Sequence, residues 1–90
     1  MAKNFTEKQL YSMVQPLSSF LAFQIKNFRE LNATTKIPST PMDISLYEWD
    51  RVLGEMIFAF ENFDSDSADD QKRVKKGLFL FAEYYRDLWI

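Results

Sequence analysis

The stretch Ile44-Ser45-Leu46-Tyr47-Glu48-Trp49-Asp50-Arg51-Val52-Leu53-Gly54-Glu55-Met56-Ile57-Phe58-Ala59-Phe60-Glu61-Asn62-Phe63 decides the fold. Leu46, Trp49, Leu53, Met56, Ile57 and Phe60 recur at helical spacing, which predicts a helix from Ser45 to about Phe63 with one apolar face and Phe63 at its edge. Ser45 and Glu48 stand three apart, as a capping box requires. Ile44 and Trp49 take the flanking positions of a hydrophobic staple.

The same periodicity extends to both sides. Upstream, Leu10, Val14, Leu17, Leu21, Phe28 and Leu31 fall on one face of a helix from about residue 7 to 32. Thr6 with Gln9 fits a capping box there, and Phe5 with Leu10 a staple. Pro16 removes one backbone hydrogen bond and crowds the preceding turn, so it either kinks this helix or starts it. Pro38 and Pro41 make the Asn32–Ile44 stretch a long loop. Downstream, the acidic turn Asp64–Asp70 offers Ser67 or Asp66 as an N-cap and sets Asp69 and Asp70 against a positive helix end. Val74, Leu78, Phe81, Tyr85 and Leu88 then repeat at four and three, with Trp89 beside them. The expected fold is all-α: an antiparallel three-helix bundle forming a single domain over residues 1–90, with both tryptophans in its core.

Composition narrows the chemistry. The chain of 90 residues holds no Cys and no His. That excludes disulfides, thiolate nucleophiles, Ser-His and Cys-His catalysis, and ordinary zinc sites. Two glycines cannot build a phosphate loop, and no serine sits in a nucleophile elbow. The sequence therefore predicts a non-enzymatic protein without cofactor or metal. A net charge of −2 and a pI near 5.0 argue against general nucleic-acid binding, which accumulates Lys and Arg. No apolar run reaches the ~18 residues of a membrane span, and the N-terminus lacks the apolar stretch of a signal peptide, so the protein is expected to stay in the cytoplasm.

Asp64-x-Asp66 imitates the opening of a calcium-binding EF-hand loop. The imitation fails where Ala68 replaces a ligand, Asp69 the glycine and Lys75 the bidentate glutamate. More informative are residues off the core stripes. Tyr47, Arg51, Gly54 and Phe58 share the outward face of the second helix, and Lys72, Lys75, Phe79, Glu83 and Arg86 that of the third. Lys26 and Phe23 lie off the core face of the first. Rings beside cations can anchor a partner protein, stack on a ligand ring while the cation meets a phosphate, or simply solvate and pack the surface. Tyr47, Arg51, Phe58, Lys72, Lys75, Phe79, Arg86 and Lys26 are the candidate ligand- or partner-binding residues. Nine Phe, four Tyr and two Trp exceed what a small three-helix core hides, which predicts self-association or a ligand surface.

The run Glu48–Glu61, with Trp49 leading a Met56-Ile57-x-x-Phe60-Glu61 pattern, and the run Gly77-Leu78-x-Leu80-Phe81-x-x-Tyr84-x-x-x-Leu88-Trp89 resemble a group of small uncharacterised proteins of tailed bacteriophages. The likeness covers about the last half of the chain and carries no catalytic motif. It implies the cytoplasm of an infected bacterial host and an accessory factor, commonly homo-oligomeric, that counters a host function by binding. Two mechanisms stay open at this point. One is sequestration of a nucleotide-type immune signal; the other is docking on a host or phage protein.

Overall fold

The computed structural model describes residues 7–35, 40–41 and 43–88, and the side chains among them from Met13 onward. The described residues form three α-helices and a terminal 3₁₀ turn, with no strand among them: α1 (Glu7–Thr34), α2 (Leu46–Glu61), α3 (Ala68–Glu83) and the turn Tyr85–Asp87. The Thr6 cap, the Phe5 staple and Trp89 lie outside this description, as do the side chains of Gln9 and Leu10.

Local chemistry explains the boundaries. At α2, the Glu48 N–H donates to Ser45 Oγ at 3.1 Å, satisfying one of the free amides at the helix start. Only half of the expected box forms, because the Glu48 carboxylate turns to Arg51, whose Nη1 donates to both its oxygens at 3.0 Å. Of the two candidate caps of α3, Ser67 takes the role: its hydroxyl accepts from the Asp70 N–H at 3.3 Å. The acidic turn is knotted internally, with Ser65 Oγ donating to Asp70 at 2.8 Å and Gln71 Nε2 donating to the carbonyls of Phe63 and Ser65 at 3.1 and 2.8 Å. Helix α1 runs through Pro16, so the helix starts well before that residue.

Helices α1 and α3 each pack on α2 and make no close backbone contact with each other. Cross-helix pairs run in opposite chain order, Lys26 with Glu61 and then Arg29 with Asp50, so α1 and α2 are antiparallel. Between α2 and α3 the contacts Trp49 with Tyr84 and Phe58 with Arg73 likewise run in opposite chain order. Trp49, Leu53 and Met56 are wholly enclosed at the centre. Their apolar partners are Ala22, Ile25, Ile57 and Phe60, with the rings of Phe28, Phe81 and Tyr84 packed at the margin.

Two expected core faces are corrected. On α1 the residues pressed against α2 are Ser18, Ala22, Ile25 and Asn32, each 3–7% exposed. Val14, Leu17 and Leu31, expected in the core, stand open instead. On α3 the buried line is Val74 and Gly77, while Leu78 and Tyr85 are exposed. Helix α3 also ends at Glu83, earlier than the apolar repeat suggested. On α2 the expected face holds except at Leu46, which is exposed in the first turn.

Size sharpens the asymmetry of α1. Its 28 residues span about 42 Å at 1.5 Å per residue, against roughly 24 Å for each 16-residue partner helix. The antiparallel pairing sets the end of α2 beside Ala22 and Lys26, so the first turns of α1 extend beyond it. Every residue from Met13 to Leu17 is exposed.

Candidate functional site: an uncharged apolar groove between α1 and α3

Because α1 and α3 share α2 as a support without closing on each other, a groove remains between them. Its volume is about 410 Å³. One wall is Leu21, Ile25, Phe28 and Leu31 of α1; the other is Phe81, Tyr85 and Leu88 at the end of the chain's described part. Below it lies Trp49, packed edge-on against Phe28 with centroids 6.3 Å apart and against Tyr84 at 5.6 Å. Phe81 is held by Phe60 at 5.0 Å and by Tyr85 at 5.5 Å, again edge-to-face. Such pairs fix ring orientation as well as burying area.

Among the described residues no charged side chain lines this groove. Its polar groups are the amides of Gln24 and Asn27 and the Tyr85 phenol. Next to it, partial burial pushes the Tyr84 phenol above its ordinary range, and the carboxylates of Asp43, Glu83, Asp87 and Glu48 add to the effect. Tyr84 is therefore a neutral phenol at pH 7. Apolar walls with a few orienting polar groups are the usual character of a binding cleft.

The charged residues gather on the other side of α2. Phe58 stands nine residues after Trp49, two and a half helical turns away, and so points in the opposite direction. There Arg29 donates through Nε and Nη2 to both Asp50 oxygens at 2.8 Å, and Arg73 does the same to Glu55 at 2.9 Å. The Arg73 guanidinium also stacks on the Phe58 ring, 3.8 Å from its centroid. Gly54 leaves room for Arg29: a methyl built there would sit 3.4 Å from Nη1.

The sequence-predicted site residues do not converge on one place. Arg51 is paired with Glu48, Lys26 with Glu61, and Phe58 lies beneath Arg73. Tyr47 is 76% exposed and borders a separate depression with Arg29 and Asp50. Lys72, Lys75 and Phe79 on α3 and Arg86 in the terminal 3₁₀ turn are exposed and do not line the α1–α3 groove. Sequence reasoning missed the groove residues as a binding set because it assigned Leu21, Phe28, Leu31, Phe81, Tyr85 and Leu88 to the core. The signal was their number: three amphipathic helices offered more large apolar positions than one core takes.

The bidentate pairs have a pH signature. Hydrogen bonds from Arg29 and Arg73 hold the Asp50 and Glu55 carboxyls below the usual carboxylate range, against the opposing effect of partial burial. A depressed folded-state pKa contributes stability that is present above the unfolded value and is lost as pH falls through the folded one. Melting temperature should stay level from neutrality to about pH 5 and decline below about pH 4. Asp50→Asn should flatten part of that acid limb. A double-mutant cycle on Arg29 and Asp50, both well exposed, should return a coupling of only ~0.2–1 kcal/mol that shrinks with added salt.

No protein-family model matches this chain, and no curated protein or solved structure is significantly similar to it. Among the described residues no helix is long and apolar enough to cross a membrane.

Proposed function

We propose that this chain is a non-enzymatic interaction module that docks apolar helical surfaces, its own and a partner's, on the uncharged face of α1 and the groove beside α3. The carrying observation is that Met13, Leu17, Phe20 and Leu31 are each 51–58% exposed on the helix that walls an apolar groove free of charge. Contiguous exposed apolar surface of this kind marks protein interaction sites. In the phage setting implied by the resemblance, the module acts as an accessory factor that counters a host function by occupying a host or phage protein, and it works as a homo-oligomer.

Of the two mechanisms left open by the sequence, docking is the better supported. A nucleotide needs cations gathered to meet its phosphates; the exposed Lys72, Lys75 and Arg86 do not line the groove, and Arg29, Arg51, Arg73 and Lys26 already hold carboxylates. Capturing a phosphate there means breaking pairs that are bidentate at two of the four sites. The groove, for its part, offers no cation among the described residues.

A thermal-shift screen of cyclic and linear nucleotides tests this choice. The expected result is no change in melting temperature with any of them. Stabilisation of several degrees by a nucleotide, abolished by Arg51→Ala or Lys75→Ala, would overturn docking in favour of nucleotide capture.

A further inference from the structure

Resting on that docking reading, we infer that the first occupant of the α1 face is a second copy of this chain, paired along a heptad seam that the monomer covers only in part, at Leu21 and Phe28. Helix α1 carries two adjacent seams. Ser18, Ala22, Ile25, Arg29 and Asn32 follow four-three spacing and face α2. One residue earlier, and so about 100° round the helix, run Val14, Leu17, Leu21, Gln24, Phe28 and Leu31 in the same four-three order. The inner seam is small and polar apart from Ile25; the outer one is apolar apart from Gln24. A chain that encloses Ser18 and Asn32 while leaving Leu17 and Leu31 in water inverts the ordinary partition of side chains. Covering the outer seam in an assembly restores it.

The seam specifies its occupant. It holds Val14, Leu21 and Phe28 at one core position of the heptad and Leu17, Gln24 and Leu31 at the other, an apolar row interrupted only by Gln24 that can pack against a copy of itself. The flanking positions on its open side are Met13, Phe20 and Asn27, so no like charges meet when the surface is opposed to itself. A two-fold interface must be self-complementary in this way. A foreign helix selected by charge would find nothing here to read. Met13, Leu17, Phe20 and Leu31 are each more than half exposed on this face, with Tyr85 at its edge, a contiguous apolar surface of the kind that a two-fold interface covers. The overhang argues in the same direction. An isolated helical segment of a dozen residues is marginal in water, and before Ser18 the described side chains of α1, Met13 to Leu17, are all exposed. Pairing with a second α1 covers them.

Multi-angle light scattering across a concentration series tests the pairing on the full chain. The expected mass is twice 10.7 kDa, falling to a single chain in Leu17→Glu and in Phe20→Glu with helicity by circular dichroism retained. Phe23→Glu is the control on the same helix. That ring is 60% exposed but lies opposite Val14, so the dimer should persist. A doubled mass that survives both seam substitutions overturns the inference. So does a single mass at every concentration, and the dye 1-anilinonaphthalene-8-sulfonate then separates the two levels of the argument. A monomer that binds the dye and loses binding in Leu17→Glu overturns the second copy alone and leaves the docking face. A monomer that binds none overturns both.

Discussion

Gly77→Ala should lower the stability of this protein by about 2 kcal/mol or more, although alanine is the better helix former by up to ~1 kcal/mol. The reason is the approach of α3 to α2. A methyl built on Gly77 would overlap the Glu55 carbonyl oxygen and stand 2.7 Å from Ala59 Cβ. Neither neighbour can yield: one is helix backbone, and the other is fully buried. Helix α3 would have to lift off α2, loosening the Phe60–Phe81 contact and stretching the Arg73–Glu55 pair. In a domain of this size ~2 kcal/mol corresponds to a fall in melting temperature on the order of 10 °C, measurable by calorimetry. Gly54→Ala provides the opposite sign. Its new methyl would meet only the mobile end of Arg29, at 3.4 Å, so the helix-propensity gain of roughly 0.5–1 kcal/mol should appear as added stability. Equal losses at both glycines would contradict this geometry.

Gly77 also explains how far the fold was legible in the sequence. Apolar periodicity located all three helices and their order, and Ser45 and Ser67 marked two starts by their side-chain chemistry. Periodicity did not reveal which of two neighbouring faces a helix buries. On α3 the repeat through Val74, Leu78, Phe81, Tyr85 and Leu88 reads as a core stripe, yet the smallest residue beside it sets the crossing. Close contact of helix backbones at Gly77 and Ala59 gains dispersion along the whole interface and turns Leu78 outward. Helix α1 repeats the pattern, with Ala22 inside and Leu17 outside. Hydrophobicity alone names the most apolar face; steric fit between partners chooses the buried one. The groove was hidden for the same reason. It exists because α1 and α3 are each drawn to α2 through small residues and stay apart from one another, a relation between elements that no single segment encodes. The charged face was hidden more simply. Arg29 and Arg73 come from different helices, 21 and 18 residues from their carboxylates, so the pairing has no local spacing to betray it.

Trp49→Ala is the substitution expected to cost most, about 3–5 kcal/mol. A chain of 90 residues has roughly 5–13 kcal/mol in all, so the variant should be partly unfolded at 37 °C or melt tens of degrees lower. Trp49 is completely enclosed and supports both sides of the groove, through Phe28 of the α1 wall and through Tyr84, which caps α3 next to the other wall. Helices without close backbone contact depend on such a shared support, and removing it leaves a void that α2 cannot fill by rotation without exposing Met56. Trp49→Phe should be far milder, about 1–2 kcal/mol, by urea denaturation. It keeps a ring against both partners, and the group it deletes, the buried indole N–H, has no acceptor among the described residues, so its loss removes a desolvation cost along with the volume. The contrast with the seam substitutions follows from position. Leu17→Glu alters a side chain already in water, so it should abolish pairing while leaving the fold of each chain intact. Trp49→Ala should unfold the chain and thereby lose pairing as a consequence. If Trp49→Ala instead left the melt unchanged, the groove could not have the floor described, and α1 and α3 would have to be held together by contacts of their own.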